Sequence, residues 1–250
     1  DYPKQFIDVL GCGKTLIQLT MDRFKGIVPT ENIWVVTSEK YADEVKRQLP
    51  ELADDHILRE PCRRNTAPCI AYVSWKIMKE DPKAQIVVAA SDHLILDVEE
   101  FQKTIVRGFD FIGKENRILT LGMKPSRPET GYGYIEQGVE QEKGIFKVAS
   151  FKEKPDLPTA IEYLKNGGFT WNSGMFIWSA ETIVNELRCH VPQIAEIMDR
   201  ISPSLFEANE QEVVNEWFPT CEKVSIDYAV MEKTQNAFVL PAEFGWSDLG

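Results

Sequence analysis

Ser91-Asp92-His93 follows an apolar run, Ile86 to Ala90, that reads as a strand buried on both faces. In open α/β sheets ligands gather at the carboxyl ends of the strands, so Ser91 and Asp92 stand where a ligand would be met. Asp92 is then either a hard oxygen ligand for a cation such as Mg²⁺, which takes one or two protein carboxylates together with substrate phosphates, or the cap of the helix expected near 98. A second acid closes Gly245-Trp246-Ser247-Asp248, 156 positions further on. Asp92 and Asp248 can share a metal only if the tertiary structure joins them, which spacing alone leaves open. Lys4, in a short loop before the first helix, either brings an ammonium to a polyphosphate or is an ordinary exposed lysine.

Other segments carry recognition chemistry. Glu60-Pro61-Cys62-Arg63-Arg64-Asn65-Thr66-Ala67-Pro68 reads as a loop entering a helix, with Asn65 as N-cap and Pro68 in the first turn. Backbone N–H groups near Thr66 and Ala67 can bind a base edge or an anion. Glu60 can accept the adjacent N1–H and 2-amino donors of guanine, a pair adenine lacks, or it is a solvated loop acid. Gly131-Tyr132-Gly133-Tyr134 either lets backbone approach a ligand closely at Gly133 or forms a plain hairpin. In Lys152-Glu153-Lys154-Pro155, alternation sends Glu153 and Lys154 to opposite faces, so only a bend before Pro155 aims both at one ligand. In Trp171-Asn172-Ser173-Gly174, Asn172 offers donors and acceptors to a hydroxyl-rich ligand, or takes a left-handed turn.

The elements that position these residues alternate through the first half. Strands are expected at 33–37, 86–90 and 118–121, and helices at 14–26, 39–49, 65–80 and 98–113, the signature of an α/β sheet with mainly parallel strands. After residue 130 the expectation is mixed: strands at 132–137, 145–152, 174–178 and 237–240 among helices at 157–166, 180–189, 192–200, 206–216 and 225–234. No repeat or linker separates the halves, so residues 1–250 are expected to form one domain. Neither end of the sequence has the polar character of a terminus, and flanking segments are expected beyond both.

Composition narrows the function classes. With 28 Lys and Arg against 39 Asp and Glu, the net charge is −11, which argues against nucleic-acid or anionic-membrane partners. A phosphate-bearing ligand must be met by a few local cations or a metal. No apolar run approaches the roughly 18–20 residues of a membrane helix. Five scattered cysteines without a C-x-x-C pair fit a reducing, cytosolic setting, and three dispersed histidines do not make a zinc cluster.

Pro3-Lys4-Gln5-Phe6, Arg64-Asn65-Thr66-Ala67-Pro68, Ser91-Asp92-His93, Gly131-Tyr132-Gly133-Tyr134-Ile135, Glu153-Lys154-Pro155, Trp171-Asn172-Ser173-Gly174-Met175-Phe176, Ser225-Ile226-Asp227-Tyr228-Ala229-Val230-Met231-Glu232 and Gly245-Trp246-Ser247-Asp248 occur in this order along the whole chain. The series resembles the mannose-1-phosphate guanylyltransferases of the sugar nucleotidyltransferase family. That resemblance implies a Rossmann-like sheet flanked by helices and the reaction of GTP with α-D-mannose 1-phosphate to GDP-mannose and pyrophosphate. By resemblance, Asp92 and Asp248 hold Mg²⁺, and Lys4 draws charge off the triphosphate. Glu60, Asn65, Thr66, Ala67 and Ser91 line the nucleotide. Gly133, Glu153 and Asn172 face the mannose, and Lys154 its phosphate. The family's Gly-rich loop with its Arg belongs just ahead of Asp1 and is not in this sequence. A homodimer is expected from the resemblance alone. Another base or sugar, or a non-catalytic nucleotide-sugar-binding homologue, are the rival readings.

Overall fold

The computed structural model describes residues 2–113 and 115–250. A short 3₁₀ turn at Lys4–Phe6 precedes helix α1 (Leu16–Arg23), and helix α2 (Ala42–Gln48) connects the parallel strands β1 (Val35–Ser38) and β2 (Ile57–Glu60). Glu60 therefore ends a strand and is not a loop acid. Helix α3 (Thr66–Glu80) starts at Asn65, whose side chain accepts from the Thr66 amide at 2.8 Å, the expected cap. Strands β3 (Gln85–Val88) and β4 (His93–Ile95) then lead to helix α4 (Val98–Ile112). The cap of α4 is Asp97, accepting from Glu100 at 3.0 Å, so Asp92 is not spent on capping.

Strands β5 (Ile118–Met123), β6 (Tyr134–Glu142) and β7 (Ile145–Lys152) follow, then helix α5 (Leu157–Asn166) and the long strand β8 (Phe169–Ser179). Helices α6 (Ala180–His190), α7 (Pro192–Ile201) and α8 (Glu210–Trp217) come next. The helix expected at 225–234 is a single π turn, Asp227–Met231, before strands β9 (Ala237–Ala242) and β10 (Trp246–Asp248).

Six strands form the order β3-β8-β5-β9-β7-β6, and β6 also pairs with β8. The fold class is the expected mixed α/β one. Its pairing is less parallel than expected: among the described residues only β1–β2 and β5–β9 pair in parallel. The reason lies in β8, which runs antiparallel between β3 and β5. That insertion also leaves β3 at the end of the six-stranded order instead of at its centre.

One face of the sheet packs against α3, α6 and α7 through residues such as Trp75, Ile183, Leu187, Ile194 and Trp178. The other face packs against α4 through Phe101, Ile105, Phe111 and Ile112 over Leu119, Leu121 and Ile177. A smaller cluster of Phe6, Ile17, Met21, Val45, Leu49 and Ile57 ties α1 and α2 to β2. Covering both faces is why β5 is buried along its whole length and carries apolar residues on both sides.

The β5–β8 register shifts between Thr120 and Gly122, and there neighbouring side chains fill the space a Cβ on Gly122 would need. A Cβ on Gly122 would lie 2.7 Å from Thr170 Cβ and 2.8 Å from Val239 Cγ2, both branched side chains held within the sheet. Gly122→Ala is expected to destabilise the protein by about 1–3 kcal/mol. The urea midpoint measures it, and an unchanged midpoint would refute the close approach.

Candidate functional site

The antiparallel bridge between β4 and β10 sets Asp248 opposite His93, and the Leu249 amide donates to the Asp92 carbonyl at 3.2 Å. Ligand atoms of Asp92, His93 and Asp248 all lie within 4.8 Å of one another. The structure thus brings the two acids together across their sequence separation. His93 is buried between them, with Nε2 at 3.7 Å from an oxygen of each.

The chemistry of the donor set follows from Trp246. Its indole N–H can only donate, and it donates to His93 Nδ1 at 3.1 Å. Burial holds the His93 pKa below its ordinary value against the two carboxylates, so the ring is neutral at pH 7 and its one proton sits on Nε2. Nε2 then faces the carboxylates as an N–H and is no metal ligand. What remains is a pair of half-buried carboxylates, a donor set for a hard divalent cation and not for zinc.

Lys4 reaches this corner: its ammonium donates to the carbonyl of Leu249, next to Asp248. Ser91 is half-buried in the bend just before Asp92. The Cε1 of His93 lies 4.0 Å from where a Cβ of Gly174 would be, so β8 passes directly behind the acid pair. Gly174, not Asn172, takes the left-handed conformation, with φ +74°.

Asn172 sits in β8, and both ends of its amide are engaged. Its oxygen accepts from the Gly174 amide at 3.0 Å and its nitrogen donates to Asp227 Oδ1 at 2.9 Å. Its backbone amide donates to the Gly133 carbonyl at 2.8 Å. A Cβ on Gly133 would lie 2.5 Å from Glu153 Oε2 and 3.3 Å from Asn172 Cβ, so only glycine lets these three residues meet. The bend before Pro155 is present: Lys154 has φ +47°.

Glu153 Oε2 is buried without a partner. Burial, reinforced by Asp227, raises the Glu153 pKa to about 7, with Lys154 opposing and Glu232 adding. Burial likewise pushes Asp227 up against its bond from Asn172. Asp227 is a site residue that spacing did not single out; its signal was its place in the Ser225–Glu232 motif.

The base-reading candidates divide. Glu60 Oε1 is buried and unpartnered, and burial raises the Glu60 pKa, with the neighbouring Cys69 thiol and Arg63 opposing. The α3 N-terminus, by contrast, is closed. The Thr66 amide is taken by Asn65, the Ala67 amide donates to the Val224 carbonyl at 3.0 Å, and Pro68 has none. Ala67 is fully buried, so it backs the site and does not line it, contrary to expectation. The Thr66 hydroxyl accepts from the Ile226 amide at 2.8 Å, tying α3 to the turn that carries Asp227.

Known proteins are similar to this chain in sequence and in fold. A family model described as nucleotidyl transferase matches residues 1–250. A mannose-1-phosphate guanylyltransferase of Escherichia coli K12 is 38% identical over 261 residues, spanning all of this chain and 53% of the relative. The chain spans about half the length of the curated relatives it matches. A Thermus thermophilus structure described as a mannose-1-phosphate geranyltransferase superposes with a TM-score of 0.85 at 28% identity, over 95% of this chain and 67% of that one. A Helicobacter pylori structure described as a mannose-6-phosphate isomerase gives 0.83 at 30% identity, over 99% and 95%. Full coverage by the family model, with this sequence and structural likeness, establishes that the chain belongs to the nucleotidyl transferase family.

Proposed function

We propose that the chain is a guanylyltransferase domain that converts GTP and α-D-mannose 1-phosphate to GDP-mannose and pyrophosphate, with Mg²⁺ held by Asp92 and Asp248. The observation that carries this reading is the carboxylate pair made by the β4–β10 bridge, which lies against the same strand, β8, that carries Asn172 of the hydroxyl-recognition group. The relative from Escherichia coli K12, a mannose-1-phosphate guanylyltransferase, supports the choice of base and sugar.

In this reading the sugar phosphate oxygen attacks the α-phosphorus in line and pyrophosphate leaves opposite. Such transfers need positioning and charge neutralisation more than covalent chemistry. Bound Mg²⁺ supplies charge neutralisation on the phosphate oxygens. Lys4 brings an ammonium to the triphosphate side, and Lys154, turned by its left-handed backbone, brings one to the sugar phosphate. Glu60 accepts the guanine N1–H and amino group with its unpartnered oxygen, Asn65 and Thr66 frame the base, and Ser91 lies on the nucleotide side of Asp92. Glu153 accepts mannose hydroxyls in the space that Gly133 leaves open, and Asn172 is held ready by Asp227. Five free cysteines support a reducing, cytosolic setting. Among the described residues no helix is long and apolar enough to cross a membrane.

The reaction is tested by pyrophosphate release with Mg²⁺, mannose 1-phosphate and each of GTP, ATP, UTP and dTTP. Release with GTP alone supports reaction and base together. Equal turnover with UTP or dTTP sinks the guanylyl assignment, and no release from protein that still binds GDP-mannose turns the reading to a binding homologue. Asp92→Asn is expected to lower turnover about 10²-fold or more with the thermal midpoint little changed; undiminished turnover removes Asp92 from the metal. Glu60→Gln is expected to shrink the GTP-over-ATP preference about 10- to 100-fold, the worth of a charged hydrogen bond, in paired kcat/KM measurements.

The raised Glu153 pKa makes a separate pH prediction. Between the ordinary carboxylate value of 4.5 and about 7, the folded protein holds the Glu153 proton more tightly than the unfolded chain. Stability conferred by the neutral carboxyl is therefore lost as pH rises through that window. Glu153→Gln should melt like the wild type near pH 4.5 and higher than it at pH 8, while KM for mannose 1-phosphate rises. A parallel pair of melting curves across this range would contradict the buried-carboxyl account.

A further inference from the structure

Glu60 is the last residue of β2, and its backbone is constrained on both sides. Pro61 follows it and confines it to extended conformations. The peptide ahead of it, whose nitrogen is its own, is held through the Arg59 carbonyl, which accepts from Gln211 Nε2 of α8 at 3.1 Å. Among the described residues β1 is the only strand that pairs with β2. A cavity of about 340 Å³ is lined by Leu58 and Arg59 of the strand and by Glu210 and Gln211 of the helix. Side-chain packing against α8 is therefore incomplete at this end of the strand, and the Gln211 bond supplies a fixed link across to it.

Gln211 is itself locked. The same amide nitrogen donates to Asn215 Oδ1, one turn further along α8, at 2.9 Å. Both N–H groups are thus engaged, and the amide cannot turn without losing one of the two bonds. The neighbouring residue anchors the start of the helix. Glu210 accepts from the Lys76 ammonium at 2.8 and 2.9 Å, from the Tyr72 hydroxyl at 2.8 Å and from the Phe206 amide at 2.7 Å. Lys76 is 2% exposed, and its ammonium also lies 4.4 Å from the centre of the Phe206 ring. Displacing either partner of an ion pair this buried leaves a charge without water, so the first turn of α8 is held firmly on α3.

We infer that Gln211 is a positioning residue for base recognition: through the Arg59 carbonyl it sets the peptide plane from which the Glu60 side chain departs, and the Lys76–Glu210 pair sets where Gln211 stands. The inference rests on the proposed reading of guanine by Glu60, and it adds a residue that touches no substrate. The probes are GTP and ATP, each titrated with Mg²⁺ into the protein by calorimetry.

Gln211→Leu, which removes the donor at nearly unchanged volume, is expected to shrink the GTP-over-ATP affinity ratio about 3- to 10-fold, the worth of one neutral hydrogen bond. Gln211→Lys, which keeps a donor at that reach, should restore most of the wild-type ratio. A merely structural glutamine weakens both nucleotides alike and leaves the ratio unchanged, and that result overturns the inference. Equal loss of the ratio in the Leu and Lys variants overturns it too. Asn215→Ala frees the amide without touching Arg59 and should move the ratio in the same direction by less; an unchanged ratio there counts against the inference even if Gln211→Leu does not fold. Glu60→Gln separates the two levels. If it leaves the ratio unchanged, the base reading fails and the inference with it; if it shrinks the ratio and Gln211→Leu does not, the inference alone fails. In the Glu60→Gln background, Gln211→Leu should add nothing.

Discussion

Two half-buried carboxylates held within a few ångströms of each other are the constraint on which the rest of this site depends. Neighbouring like charges repel, and nothing in the separate segments around Asp92 and Asp248 would keep them together. The three-residue bridge of β4 with β10 does so, and its register leaves no freedom: Asp248 lies opposite His93, Ser247 opposite Leu94, Trp246 opposite Ile95. A slip of one residue would turn Asp248 to the other face. Trp246 guards that register, because its indole must reach His93 Nδ1. The same bond fixes the imidazole tautomer and so decides that the cluster offers oxygen donors alone.

From this corner a series of neighbours leads outward, joined by hydrogen bonds around Asn172 and by close packing at either end. His93 abuts Gly174, whose amide bonds Asn172; Asn172 bonds Asp227 and, through its backbone, Gly133; Gly133 makes room for Glu153. The Asp227 turn is tied in its own right to α3 by Ile226 and Thr66, two chain segments that also bury side chains in one apolar cluster. The Asn172 amide is therefore held at both ends, which is what preorganisation of that side chain requires. Among the buried oxygens left without partners, Glu60 Oε1 and Glu153 Oε2 belong to candidate site residues. Buried acceptors of this kind cost free energy in the unliganded protein and gain it back from a ligand's N–H or O–H groups.

Much of this was legible in the sequence, and the misses have physical causes. Helix α3 announces itself by a periodic apolar face and its Asn65 cap, and both α3 and α4 start within one residue of the expected position, although the α4 cap is Asp97 and not Asp92. The bridge strands β4 and β10 and the strand β2 are three or four residues long, too short for any period to show. Without β2, Glu60 looked like a loop acid. The sheet was expected to be mainly parallel because strand and helix alternate up to residue 123, yet β8 enters later and intercalates antiparallel between β3 and β5, a tertiary event that no local pattern encodes. Ala67 and the Thr66 amide illustrate the converse error. A helix N-terminus reads as open from sequence, and here Asn65 and the Val224 carbonyl close it. Residue types thus pointed to segments that the structure brings together, such as those of Asp92 with Asp248 and Gly133 with Glu153 and Asn172, and were a poor guide to which atoms in those segments remain free.

The charge balance of the molecule takes its meaning from the same distinction. A chain with a net charge of −11 is an unfavourable partner for polyanions at long range, and salt-screened attraction cannot gather them. The cations that matter must be few and close. Lys4 and Lys154 are exposed, Lys4 donating to the Leu249 carbonyl beside Asp248 and Lys154 turned by a φ of +47°, whereas Arg23 is buried and donates to the His93 carbonyl. In the proposed reaction the exposed ammoniums meet the phosphates directly, and their charge is worth most once water is excluded by the substrate itself. An acidic protein that handles two phosphate-bearing substrates by that reaction therefore depends on a few cations close to the acid pair and on the metal the pair would hold, and its overall charge serves to keep other polyanions away.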